Sequence, residues 1–473
     1  MKRFIAIILT VVALSATSCK NWLDINTNPN YLSDAEPSQL LPTALAFTAE
    51  KLGYDINIYT LFWAQYAVQC KSTNQYYTNM TYDVTNSSFT SPWTYIYAQV
   101  LPSLKKIINS GANAAGMSNY VLEAKTMVAY NFYLLNSLYG PIAYTEGFVT
   151  ESQTPKFDEE KAAYTAILGL LEEVRGMSPD AVAADELANS SAKADMLFDG
   201  DTDLWFQFAN TLYLRMLMRD PAANSSKIAA LIAEDNFLSK DAAFAKFEDS
   251  ANKSNPLYES DQRQLNTKEN IRACSDILGV ISEKDPRLPY FYDNWLEDES
   301  GNEHFAGAAY GTTIDHDESA HLAIAALDPV YFATVDETYF LIAEYYARNG
   351  KKDEAEEAFN DGLVAAFVRT GIDAVTASTF IAANYAFDST VSIDKQVEQI
   401  INHKWASNVR CMPTEAWFDM TRTGYPAKGT TITDYQGVIS GYPQRFLISK
   451  TSADYNPNSP TGLKLTDKMW WQK

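Results

Sequence analysis

Between Cys70 and Trp93 the chain reads CKSTNQYYTNMTYDVTNSSFTSPW, which crowds Asn74, Gln75, Tyr76, Tyr77, Asn79 and Tyr82 together. A second run, YFYDNWLEDESGNEHFAGAAY (290–310), carries Tyr292, Asn294, Trp295 and Tyr310. A pyranose presents an apolar C–H face and a rim of hydroxyls. Flat aromatic rings cover the first, and amides and carboxylates bond the second. Both runs therefore have the chemistry of an oligosaccharide site. The expected ligand contacts are Asn74, Gln75, Tyr76, Tyr77, Tyr82, Tyr292, Trp295 and Tyr310. The competing role for each aromatic is to pin its loop to the body, and Trp93 is expected in the core.

Other constellations fail on spacing. Asp199, Asp201 and Asp203 in DGDTD alternate like the start of a calcium loop. Leu204 and Asn210 stand where an EF-hand needs Gly and Glu, so these acids read as a helix N-terminus. DHDESAH (315–321) holds His316 and His321 five apart, which misses the i, i+4 zinc spacing. There is no G-x-S-x-G, and His304, His316, His321 and His403 pair with no nucleophile by motif. Neither a P-loop nor a dinucleotide fingerprint is present. A glycosidase needs only two facing carboxylates, which 59 acids cannot exclude by sequence. The reading is thus a binding protein and not an enzyme, with no catalytic residues, no metal and no cofactor.

The elements that must position these residues sit behind an export signal. Lys2 and Arg3 precede an apolar run from Phe4 to Leu14, too short to span a bilayer. Small residues lead into Cys19, which is expected to carry lipid after cleavage, although Ala16 stands where a lipobox prefers Leu. The formal charge is −22, and −24 once Lys2 and Arg3 leave, which argues against nucleic acid and anionic headgroups as ligands. Cys70, Cys274 and Cys411 are widely spaced and read as buried free thiols. The divisions expected are a signal peptide over 1–18, a lipidated tether over 19–37, and a single helical unit over 38–473.

Apolar residues recur at helical spacing over 38–69, 93–109, 119–138, 158–175, 202–219, 269–283, 335–348, 353–369 and 394–408. Long polar, aromatic-rich loops separate them. In ETYFLIAEYYARNGKKDEAEEAFNDGL, Tyr339, Ile342, Ala343 and Tyr346 fall on one helical face. Gly350 turns the chain, and Ala355, Phe359 and Gly362 line the next helix. Large and small residues alternate there as in a tetratricopeptide hairpin, around 335–369. Arg215 and Arg219 lie one turn apart and are expected to pair with acids. Trp417, Phe418 and Asp419 are expected in the framework, and Trp470 and Trp471 to dock the tail.

Eight stretches in order resemble the SusD/RagB-like family of outer-membrane nutrient-binding lipoproteins. They are CKNWLDINTNPN (19–30), LYGPIAYTEGF (138–148), TPKFDEEKAAYTAIL (154–168), DGDTDLWFQFANTLYLRMLMR (199–219), KDPRLPYF (284–291), ETYFLIAEYYAR (337–348), EAWFDMTRTGYP (415–426) and YPQRFLISKTSADYN (442–456). The resemblance implies an all-α fold of tetratricopeptide-like hairpins with long irregular insertions. It also implies a cell-surface lipoprotein on the outer membrane of a Gram-negative bacterium, which captures oligosaccharide and delivers it to a SusC-like TonB-dependent β-barrel transporter. The alternatives are a glycoside hydrolase on a helical scaffold and a scaffold whose hairpins bind a peptide or protein.

Overall fold

The computed structural model describes residues 35–111, 114–427 and 441–473. The leader, Cys19 and the tether as far as residue 34 lie outside them. Helix accounts for 54% and strand for 6%, which makes the body all-α with long connecting loops.

The first helix, Pro37–Glu50, opens on a capping box in which Glu36 and Gln39 bond each other's backbone N–H groups. It continues as a π-helical turn, Lys51–Ile56, and then as Asn57–Trp63. Gln65, at φ +63°, turns the chain out of the helix into a strand, Ala67–Gln69, that the helical reading of 38–69 had absorbed. The central helix, Ser118–Tyr139, is buried on nearly every side. Gly140 ends it at φ +79°, where an added Cβ would meet Arg445 and Glu160, both at 2.8 Å.

The hairpin of Val335–Arg348 and Lys352–Arg369 forms around Gly350 at φ +70°. Thr334 caps its first helix by accepting from the Glu337 N–H. Of the expected face Ile342 and Ala343 are buried, but the rings beside them differ. Phe340, Ala343 and Ala347 are buried, while Tyr339 and Tyr346 are only half-buried. The unbroken apolar run YFLIA fits either phase, and Gly362 decides it: a Cβ there would meet the Phe340 ring at 3.2 Å. The small residue lets the two helices close over that ring.

Residues 269–283 are not helical. Ile271–Ala273 forms a strand and Ser275–Gly279 a 3-10 turn, because this short apolar run carries no helix caps and pairs on both edges. The sheet order is Ala67–Gln69, Ile271–Ala273, His321–Leu322, Tyr292–Asp293, all antiparallel. Val68 faces Arg272, Arg272 faces His321, and Tyr292 faces Leu322. Helices Pro179–Ala188, Ser225–Glu234, Ala374–Asn384 and Pro413–Thr423 add to those expected.

Inside the body, charges of alternating sign run from helix to helix. Arg219 and Arg215 approach Glu415 at 3.6 Å each, and Arg215 Nε donates to Glu337 Oε1 at 2.8 Å. Lys404 lies 3.6 Å from Glu337 and 2.8 Å from Asp419. Arg422 bonds Asp419 and takes both oxygens of Glu344 at 2.7 Å, and Arg348 Nε closes the row on Glu344 at 2.8 Å. Burial works against ionisation of Asp419 and Glu344, yet Lys404 and Arg422 around the first, and Arg422 and Arg348 around the second, hold both carboxyls below their usual range. Trp471 covers this row, its ring 4.3 Å from the Arg219 guanidinium and edge-on to Phe418. Trp470 packs on Tyr164 and donates its backbone N–H to Glu160.

His403 lies between Phe359 and Tyr385, with ring centroids 5.4 and 4.6 Å away and its Nδ1 buried without a partner. Burial lowers its pKa from 6.5 to about 3, with the Arg287 charge adding and Asp285 opposing. The unfolded chain takes this proton near 6.5 and the folded chain does not. Stability is therefore fully present above that pH and falls as pH drops below it, by about 1.4 kcal/mol per unit at most. His403→Phe is expected to flatten the loss between pH 6.5 and 5. Denaturant titrations at both pH values check it, and equal slopes in the two proteins would refute it.

Candidate functional site

The two aromatic-rich runs, more than two hundred residues apart in sequence, meet along the small sheet. Lys71 donates its N–H to the Ile314 carbonyl at 2.9 Å, and Cys70 donates to Asn270 at 2.9 Å. Tyr310 Oη reaches Tyr82 Oη at 3.2 Å and the Met80 carbonyl at 3.4 Å. Tyr292 Oη donates to the Tyr66 carbonyl at 2.8 Å. The two loops thus join through buried tyrosines.

By burial the eight expected contacts divide in two. Tyr76, Tyr82, Tyr292 and Tyr310 are core residues, each no more than 4% exposed. Tyr76 takes its N–H to Gln69 Oε1 at 2.8 Å and packs its ring on Phe62. Tyr82, at φ +63°, packs edge-on to Trp63 and Tyr442. Burial pushes all four phenols well above the usual tyrosine range, so they stay protonated. These four support the loops from beneath, as the competing role for the aromatics allows.

Asn74, Gln75, Tyr77 and Trp295 make the outer half. Asn74 and Gln75 are exposed, and Tyr77 and Trp295 are half-buried. The Asn74 carbonyl accepts from Tyr77 N–H at 3.3 Å, where the short Tyr77–Met80 helix begins. Trp295 donates Nε1 to the Tyr292 carbonyl at 2.8 Å and leans edge-on against Phe305, which fixes its ring. Trp93 is buried, stacked on Phe157.

Beside the loops lies a depression of about 320 Å³ lined by Gln65, Asp276, Tyr310, Trp405 and Pro426. Asp276 is half-buried. Burial raises its pKa against the Tyr310 N–H and the Cys274 thiol, which favour the anion. Neither Gln65 nor Asp276 stood out in the sequence, because both fell in stretches read as helix. Among the described residues Asp276 is the one carboxylate lining this depression, whereas hydrolysis of a glycoside needs two.

The other singled-out groups have structural partners. Asp201 caps the Thr202–Leu217 helix by accepting from Asp203 and Leu204. His321 is buried beside Asp293 at 2.9 Å, while His316 is exposed. Burial opposes the Asp293 charge, but His321 holds its carboxyl below the usual range. Cys70, Cys274 and Cys411 are free thiols, with the first two buried. Among the described residues no three His, Cys, Asp or Glu side chains gather as a metal would require, and no helix is long and apolar enough to cross a membrane.

With this geometry in view, the chain belongs to the SusD-like family, whose model, described as starch-binding associating with outer membrane, matches residues 29–446. No curated protein matches the sequence. Solved structures share the fold at low identity. A SusD-like protein described as Bacteroidetes AC2a is 19% identical with a TM-score of 0.75, covering 93% of this chain and 100% of its own. A chitin-binding SusD homolog from Flavobacterium johnsoniae is 19% identical with a TM-score of 0.74, covering 92% and 98%. A SusD homolog from Bacteroides uniformis is 19% identical with a TM-score of 0.71, covering 92% and 99%.

Proposed function

We propose that this protein captures an oligosaccharide on the joined loops, leaves it unaltered, and passes it to a SusC-like TonB-dependent barrel from a lipid anchor at Cys19. The observation that carries the reading is the meeting of the two loops. The Tyr82–Tyr310 contact supports it by joining the run that carries Asn74, Gln75 and Tyr77 to the run that carries Trp295. A rigid aromatic platform lowers the ordering cost of binding a flexible, hydrated sugar. The expected affinity is micromolar to millimolar, and a carrier beside a transporter must release its cargo.

The division of the aromatics sharpens the test. Tyr77→Ala with Trp295→Ala should reduce binding in a glycan panel at least tenfold and leave the melting temperature within a few degrees. Tyr310→Ala should lower the melting temperature first, because its ring lies in the core. Undiminished binding in the double variant would move the site elsewhere. Shortened chains after prolonged incubation with the pure protein would favour the hydrolase instead. The protein should also copurify with a large β-barrel.

The anchor has its own test. A diacylglycerol with an amide-linked acyl chain buries enough methylene to hold a protein stably on a membrane. Cys19→Ala is expected to shift the protein from the membrane fraction to the soluble or uncleaved fraction. Retention of the alanine variant in the membrane would reject lipidation there.

A further inference from the structure

The joined loops are not the largest recess. A separate cleft of about 590 Å³ lies between the Pro37–Glu50 helix and the 244–264 segment, and it shares no lining residue with the depression at Asp276. That volume is in the range of small-molecule sites. Phe244 and Phe247, with ring centroids 5.1 Å apart, form one wall, and half-buried Phe47 and Tyr54 form the other. Two of the four π-helical segments among the described residues, Lys51–Ile56 and Tyr258–Arg263, border it. Such turns occur frequently at functional sites.

The charges around the cleft define its chemistry. All five charged side chains on its wall are paired. Lys246 meets Asp199 at 2.7 Å, Lys253 meets Glu248 at 3.0 Å, Glu50 meets Lys51 at 2.9 Å, and Glu259 meets Arg263 at 3.0 Å. An ionic ligand would have to compete with these pairs. A neutral polyol would not: it finds aromatic surface together with the exposed amides of Asn252 and Gln264 and the hydroxyl of Ser260. We propose that this cleft is a second oligosaccharide site, which takes a neutral sugar between Phe47 and Phe247 independently of the joined loops.

Ala46 supplies the test. It is exposed on the helix and lines the cleft, so Ala46→Arg fills the space without touching the core. Calorimetric titration of the full mature chain with chitohexaose and with maltohexaose, to millimolar sugar, is expected to show two equivalents of at least one probe. The Tyr77→Ala, Trp295→Ala variant should retain one, and adding Ala46→Arg should weaken that remainder at least tenfold. Gln264→Ala should weaken it in the same direction. A single equivalent lost with the loop variant, with Ala46→Arg silent, overturns the second site and leaves the loop reading intact. A single equivalent lost only with Ala46→Arg supports the cleft and overturns the loops. Binding of neither probe overturns the cleft as a site for these neutral sugars.

Discussion

Glu337→Ala is expected to lower stability by about 3–5 kcal/mol, the cost of breaking a buried ion pair by removing one partner. Glu337 is fully enclosed and bonds Arg215 through both oxygens, with Lys404 3.6 Å away. Without it, Arg215 keeps the Phe332 carbonyl and the more distant Glu415, and Lys404 keeps Asp419. Two cations would then share a buried space without their carboxylate. Glu337→Gln keeps the volume and should still lose most of this, because the charge and not the shape holds the cations. The urea midpoint checks both variants, and a change under about 1 kcal/mol in Glu337→Ala would show that the row rearranges around the loss.

Phe359→Ala should cost a similar amount, about 3–5 kcal/mol, by leaving a cavity inside the hairpin. The ring is 1% exposed and meets Phe340, Phe387 and His403 at centroid distances of 6.2, 5.3 and 5.4 Å. The loss should grow less as pH falls. With the ring gone His403 loses one of the two aromatic faces that desolvate it, which raises its pKa toward 6.5 and weakens the acid sensitivity described above. Tyr346→Ala, at a half-buried ring, should cost only about 1 kcal/mol. Thermal melts of the two variants at neutral and mildly acidic pH test both the size and the coupling. Equal losses in Phe359→Ala and Tyr346→Ala would return the hairpin to the phase that the sequence first suggested.

That phase error shows where sequence reading stops. Helical spacing located the long helices, and Asp201 marked the start of one, because both signals act within one turn of their own positions. The choice between Tyr339 and Phe340 as the inward ring was not local, because Gly362 on another helix decides it. The same limit governs the site. Composition marked both loops, yet Tyr82 and Tyr310 meet across 228 residues, and only that contact separates supporting rings from outward ones. Arg215 and Arg219 were readable as ion-pair residues, but their acids Glu337 and Glu415 were not. The cleft at Ala46 left no trace, because its walls are two hundred residues apart and each reads as an ordinary helix face or loop.

The placement of Trp63 has a consequence for the order of assembly. The first helices find their partners at the far end of the chain: Trp405 donates to the Ala64 carbonyl, Thr60 and Thr414 share a hydrogen bond at 3.0 Å, and Tyr442 Oη bonds the Trp63 carbonyl. These contacts close loops of 341, 354 and 379 residues. Loop-closure entropy must be overcome before such pairs contribute, so the Asn57–Trp63 helix is among the last elements to be locked. A nascent chain cannot complete this body prematurely. The Trp63 end of the body is closed only by the final hundred residues, which carry Trp405, Thr414 and Tyr442.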